Sequence, residues 1–373
     1  MSETFGQALR RLRAAAGLSQ PQLARLVHAD QSAVSRWEND RTSPSRDTVE
    51  QLDELLEASG DLARIAFPAT LAPTQPLDEP VTSDYVDELR ASIANLVKLD
   101  GQHGGAELVP MASRMFRTAS ARLASGNYPS ALEADFTATV AELGEVAGWL
   151  AFDAMQHERA RALNLEALHL ARLAGDSSME LFVLGNLALQ AQETGQSREA
   201  LRTVQLMDRF KLSPRLRVMA ALRRARAAAD LGDERAFSLI QHAQAEVESS
   251  VQATDPGWAW WVDRRELRVH EGGMWRAVGR PEQAVDCYAD ALAAVPRSYR
   301  WASYIGGANL VSALVEVRSW AEAERAATEV ANLAPEVTSA RAGKRLRDAA
   351  ATARQNRAPS SLENMLTTLA AAH

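Results

Sequence analysis

The 373-residue chain is poor in several things at once. It has one cysteine, Cys287, and three lysines, Lys98, Lys211 and Lys344, against 38 arginines. A lone cysteine excludes an internal disulfide, and Cys287 beside Tyr288 on an apolar helical face reads as a buried, inert thiol. Long runs of Val, Ile and Thr are missing, while strong helix formers dominate, 70 alanines among them, so the expected class is all-α. No apolar run approaches the roughly 20 residues of a membrane span. The start, Met1 to Phe5, has no basic stretch followed by an apolar one, so a cytoplasmic protein without membrane contact is expected. Patterns of catalysis are also missing: no glycine-rich phosphate loop after a strand, no paired Cys/His ligands and no Gly-x-Ser-x-Gly. No enzyme activity, metal or cofactor is expected. The net charge of −7 argues against non-specific binding of nucleic acid by the whole surface.

What is present is ordinary for a folded chain, with 46% hydrophobic and 24% charged residues, and the length calls for two or three domains. Near the N-terminus, Phe5, Ala8, Leu9, Leu12 and Ala16 recur at helical spacing, and Gly17 ends that helix as a left-handed cap. Ser19 then caps a second helix with Pro21 in its first turn, where a missing N–H does no harm. Leu23, Ala24 and Val27 face inward, and His28-Ala29-Asp30 make a turn. Asp30 is placed to cap a third helix over 31–38, with Val34 and Trp37 as its apolar residues. A further helix over about 46–59 carries Val49, Leu52, Leu55 and Leu56 on one face, and Gly60 closes it.

This order of caps and core positions over residues 5–60 resembles the phage repressor/Cro type of helix-turn-helix, the Xre-like family. The resemblance implies a five-helix-type domain over 1–62 that reads double-stranded DNA. It matches Gln20 with the residue that starts the second helix and contacts DNA. It matches Gln31, Ser32, Ser35 and Arg36 with the exposed face of the recognition helix. Asn39, Arg41 and Arg46 match the following loop and helix start, which hold phosphates, and Arg13 on the first helix can do the same. The chemistry suits these roles. Gln bonds adenine N6 and N7 together, Arg does so with guanine O6 and N7, and each such pair contributes about 1–3 kcal/mol of discrimination. Trp37 and Glu38 read as structural. Two positions depart from the family pattern: His28 and Asp40 stand where Gly is common.

Residues 1–60 hold seven arginines and nine acids, and five of the acids fall in 47–57, so positive and negative sides are segregated. Few phosphates are neutralised by one such module. DNA binding is therefore expected of a homodimer on two half-sites, an inverted repeat.

Pro68, Pro73, Pro76 and Pro80 mark a semi-extended linker over 63–82. A helix then begins near Ser83 and stops at Asp100-Gly101, with His103-Gly104-Gly105 as a turn. From about residue 106 a helix pair repeats. Its clearest copy is Gly272, Trp275, Gly279-Arg280-Pro281-Glu282-Gln283-Ala284, Tyr288, Ala291 and Pro296. Others centre on Gly126 to Ala131, Gly148 to Ala167, Asn186 to Ala200, Gly232 to Ala236, and Asn309 to Pro335. Small residues stand where the helices of a pair cross, and the pattern resembles the tetratricopeptide repeat. That resemblance implies an α-solenoid over 83–357 with a concave groove lined by each first helix. Counting back from each repeat's Ala places Arg117, Asn186, Arg223, His270 and Asn309 on that groove, with Arg226 nearby. Arg and Asn donors suit the carbonyls or carboxylate of a peptide; equally, they solvate the inner face. Trp258, Trp260 and Trp261 interleave with Arg264, Arg265 and Arg268. They either stack on a ligand, Trp261 foremost, or fill the core between imperfect repeats. The segment 358–373 carries a capping box at Ser360 and apolar Leu362, Met365, Leu366 and Leu369, a capping helix for the last repeat.

The alanine and arginine bias fits a GC-rich genome, and the layout is similar to actinobacterial regulators that join a helix-turn-helix to tetratricopeptide-like repeats. The expected function is a transcription regulator whose repeats dimerise or bind a peptide or small-molecule effector. The alternative is an interaction scaffold whose repeats recruit a protein partner.

Overall fold

The computed structural model describes residues 4–27, 29–42, 44, 46–56, 58, 62, 79–296 and 299–371. His28, Gly60 and linker residues 63–78 lie outside the described residues, as does the side chain of Arg46. The chain divides into two compact units, residues 1–76 and 77–373. No described helix is long and apolar enough to cross a membrane.

The first unit contains α1 (Phe5–Ala15), α2 (Gln20–Leu26), α3 (Gln31–Glu38) and α4 (Arg46–Leu55). The expected fifth helix falls largely outside the described residues. Thr4 and Gln7 form a capping box on α1, and Ser19 with Gln22 forms one on α2. Gly17 takes φ +67 after α1, the left-handed region its position demands. Asp30 occupies the N-cap position of α3, but its side chain makes no capping bond. Leu9, Leu23, Val34, Val49 and Leu52 are fully buried in one core with Trp37 and Leu62. Each such leucine contributes roughly 1.5–3 kcal/mol by leaving water. Ala16 and Leu55, expected on the inner stripe, are instead exposed, because they sit at the outer ends of their helices.

Asp40 shows what an acid does in place of the common Gly. It adopts φ 52, and its carboxylate accepts hydrogen bonds from the Gly6 amide at 2.7 Å and from the Thr4 hydroxyl at 2.6 Å. The backbone strain is offset by a charged cap on the start of α1. Gly6 is required for that approach. A Cβ there would lie 2.7 Å from the carbonyl oxygens of Trp37 and Glu38.

The second unit is built from fourteen helices within the described residues. They are α5 (Ser83–His103), α6 (Val109–Ser125), α7 (Glu133–Asp153), α8 (His157–Ala174), α9 (Ser177–Glu193), α10 (Ser197–Met207), α11 (Pro214–Asp230), α12 (Arg235–Glu246), α13 (Arg264–Ala277), α14 (Pro281–Ala293), α15 (Arg300–Glu316), α16 (Trp320–Leu333), α17 (Ala340–Gln355) and α18 (Ser360–Ala371). From α7 onward they pack as consecutive pairs. Small residues let the pairs approach: a Cβ on Gly272 would lie 2.7 Å from the Tyr288 ring. Cys287 is buried on α14, and that burial holds its thiol up at about 12. Leu362, Leu366 and Leu369 of α18 are buried against α16 and α17.

The expected open groove is closed. α5 packs against both α7 and α15, so the first turn of the superhelix meets the last. α5 runs on to His103, past the expected stop at Asp100-Gly101. The His103 carbonyl accepts from the Thr338 amide at 2.8 Å. A Cβ on Gly104 would lie 1.8 Å from the Thr338 carbonyl oxygen, so only glycine fits this seam. Asp153, fully buried, ties the seam from within. It accepts from the Trp301 indole at 3.1 Å, the Ser339 hydroxyl at 3.2 Å and the Arg341 guanidinium at 3.1 Å.

Candidate functional site

On the first unit, α3 turns its apolar side inward through Val34 and Trp37 and its polar side out. Gln31, Ser32 and Arg36 are exposed, Ser35 is half-buried, and Asn39 and Arg41 are exposed just beyond. The side chains of Gln31, Arg36 and Arg41 make no hydrogen bond or ion pair with the described residues. Asn39 is positioned, since its Nδ2 donates to the Ser35 carbonyl at 2.7 Å and its Oδ1 accepts from Arg10 Nη2 at 2.9 Å.

Glu38 is the hub beneath this surface. Its side chain is 1% exposed and accepts from Arg13 Nη2 at 3.1 Å and from Gln20 Nε2 at 2.8 Å. Arg13 Nε also donates to it, and Arg13 Nη1 donates to the Leu18 carbonyl at 2.6 Å. Burial opposes ionisation of Glu38, but the Arg13 and Gln20 hydrogen bonds outweigh it and hold its carboxyl below the usual range. Arg13 is therefore directed inward, locking α1 to α3, and is not the outward phosphate ligand expected of it. Gln20 is half-buried with its amide nitrogen on Glu38.

In the second unit the superhelix surrounds a partly open cavity of about 1070 Å³. Asn186, Arg223, Arg226, Trp261, His270 and Asn309 all line it. Arg117 does not; it is exposed on α6, a helix that contributes nothing to the wall. The tryptophans expected either to fill core or to meet a ligand pack on neighbouring rings and also line the cavity. Trp258 stacks on Phe182 with centroids 4.4 Å apart and donates to Ser178 at 3.0 Å, yet faces the cavity. Arg223 lies over Trp261, and Trp260 is 53% exposed against Tyr299. Trp149 and Trp301 meet edge to face on the same wall.

The wall's arginines are engaged. Arg226 pairs with Asp230, Arg276 with Glu316, Arg265 with Asp263 at 3.4 Å, Arg341 with Asp153, and Arg345 with Glu193 at 3.5 Å. Arg90 pairs with Asp87 at 3.2 Å and with Asp135. Arg223 Nη1 lies 3.1 Å from His270 Nε2, and burial lowers the pKa of both, Arg223 to about 10. Four carboxylates of the wall stand apart from this pairing: Asp100, Glu142, Glu145 and Asp176, the last accepting from the Met179 amide at 2.9 Å at the start of α9. Burial pushes Glu145 up to about 8 against the hydrogen bond from Asn186 Nδ2 at 2.6 Å, with Glu142 and Asp100 pushing further. Burial and Asp153 raise Asp100 to about 7, against the Trp149 indole bond at 3.0 Å. Sequence reading missed these residues. The one signal was a carboxylate at 145 inside the apolar run from Ala141 to Leu150. No group of residues suited to hold a metal occurs among the described residues.

Residues 4–65 match the helix-turn-helix domain family. The N-terminal unit is a helix-turn-helix domain, and helical repeats follow it. No curated protein matches the chain in sequence. Among solved structures it is similar to Bacillus thuringiensis PlcR in complex with the peptide PapR7 and DNA, at 15% identity over 78% of this chain and 93% of that one, TM-score 0.36. It is similar to a Rap protein complexed with competence and sporulation factor, at 12% identity over 99% of this chain and 100% of that one, TM-score 0.43. It is also similar to a signal-transduction ATPase with a tetratricopeptide repeat sensor from Pyrococcus horikoshii, at 11% identity over 98% of this chain and 51% of that one, TM-score 0.41.

Proposed function

We propose that the protein is a cytoplasmic, sequence-specific DNA-binding regulator whose repeat unit takes an effector into its cavity. The observation that carries this is α3. Its polar face offers Gln31, Ser32 and Arg36 to solvent with no partner among the described residues, on a helix anchored by buried Val34 and Trp37. Base edges in a major groove satisfy such donors and acceptors. Gln31 and Arg36 read bases; Ser35, Asn39, Arg41 and Arg46 hold the backbone. Nine acids offset the seven arginines of residues 1–60, so the phosphate contribution is small and two units act together on an inverted repeat as a homodimer. Asn186, Arg223, Arg226, His270, Asn309 and Trp261 belong to the effector's wall.

The test is selection of bound fragments from the organism's sheared DNA by the full chain, followed by competition with unrelated duplex. Enrichment of a common inverted motif, with binding that steepens with protein concentration, is the expected result. A stoichiometric protein partner together with no DNA enrichment would replace this reading with that of an interaction scaffold.

A further inference from the structure

The cavity wall is unevenly compensated. Six of its seven arginines have a carboxylate within salt-bridge distance, and the seventh, Arg223, is held by His270 and Trp261. Its acids are not matched in the same way. Glu145, 4% exposed, has the neutral amide of Asn186 as its hydrogen-bond partner and no ion pair among the described residues. Asp100, 7% exposed, accepts from Trp149 through one oxygen and leaves Oδ1 without a partner. Glu142 lines the same stretch with no ion pair among the described residues. A buried carboxylate without a cation is held at a penalty of several kcal/mol. A second observation comes from a different helix. Asn309 of α15, 3% exposed and on the wall, has an Oδ1 with no partner. Arg223 Nε and Arg345 Nε on the wall also lack partners, but each belongs to a cation already held, by His270 and by Glu193, so the charge left uncompensated is negative and calls for an N–H donor carrying positive charge. Arg341 already lies over the Trp149 and Trp301 rings, 5.5 and 5.7 Å from their centroids, so these rings supply an apolar wall, while Trp260 suits an apolar body and attracts a cation as well.

We infer that the cavity takes a cationic amphiphile, its ammonium or guanidinium group seated at Glu145 and Asp100 and its apolar body against the tryptophans. The inference rests on the reading of the cavity as an effector site. It reverses the sequence-based expectation that the groove's arginines receive a carboxylate, because Arg226 is already paired with Asp230 and Arg223 is held by His270 and Trp261. The same cationic group is supplied by a small amine or by the free N-terminus of a short peptide, and a volume of about 1070 Å³ holds either.

The experiment uses the full chain and three matched probes: 2-(1-naphthyl)ethylamine, the neutral 2-(1-naphthyl)ethanol and the anionic 1-naphthylacetate. Binding is read by calorimetry and by quenching of tryptophan fluorescence. The amine should bind at least about tenfold tighter than either analogue, and Glu145→Gln or Asp100→Asn should each remove that preference. A variant that loses its helical circular dichroism is set aside and the other decides. Arg117→Ala, off the wall, should bind as wild type. A parallel arm compares Phe-Leu-Phe amide with its N-acetyl form: loss of binding on acetylation assigns a peptide source, and amine binding without peptide binding assigns a small molecule. Failure of the amine to bind, preference for the acid, or amine preference intact in the folded variants overturns the inference. Because these probes are titrated without DNA, amine binding by a protein that selects no DNA sinks the regulator reading alone. DNA selection by a protein blind to the amine sinks this inference alone.

Discussion

Replacing Glu145 by Gln should stabilise the ligand-free repeat unit at alkaline pH and change it little in acid. The side chain is 4% exposed and its carboxyl is pushed up to about 8, chiefly by burial, against an ordinary value of 4.5. Between those values the folded state keeps a proton that the unfolded state has lost. The native form therefore binds more protons, and stability falls as pH rises through that window. Each pH unit corresponds to about 1.4 kcal/mol, so the whole displacement is worth roughly 3–5 kcal/mol after allowance for relaxation and water entry. Gln keeps the carbonyl that accepts from Asn186 and cannot ionise. Urea unfolding of the full chain at pH 5, 6, 7 and 8 measures the difference. It should be near zero at pH 5 and grow towards pH 8 in favour of the variant. A difference independent of pH, or a variant less stable at pH 8, would refute the argument that this carboxylate is buried without compensation.

Three other perturbations follow from the geometry. Gly6→Ala sets a methyl 2.7 Å from two carbonyl oxygens and should destabilise the first unit by about 1–3 kcal/mol, read as an earlier transition in calorimetry of the full chain. Glu38→Ala leaves Arg13 inward and unpaired, a loss of about 3–5 kcal/mol. Because the Glu38 pKa is depressed, this contribution is full above the usual carboxylate range and fades as pH falls through its folded value, so wild type and variant should converge in acid unfolding. Asp153→Ala removes the acceptor shared by Trp301, Ser339 and Arg341, and amide exchange should accelerate in α5, α15 and α17 well before the outer helices.

The helices of both units were legible because their signals are local. Caps, apolar periodicity and small crossing residues place α3 at residues 31–38 as read, and the spacing back from Ala284 finds His270 on the inner wall. The closed seam was not legible, because Asp153 meets Ser339 and Arg341 across nearly half the chain and neither position carries a periodic mark. The inward turn of Arg13 was hidden for the same reason: nothing near residue 13 announces a carboxylate at 38. Arg117 failed because counting from one repeat's alanine assumes a first helix on the wall, and α6 is not one. Ion pairing was the deepest gap. Composition shows arginines in the groove, but only the fold shows that Arg226, Arg276 and Arg341 have partners and Glu145 has none among the described residues.

The proposed choice of DNA sequence depends on α3 as the reading helix. In mobility-shift titrations on a selected DNA fragment and on the same fragment scrambled, wild type should prefer the former strongly. Arg36→Ala should lose roughly 10–100-fold of that preference, the equivalent of about 1–3 kcal/mol at one base pair, with helical content unchanged. Equal preference in both proteins would contradict the assignment.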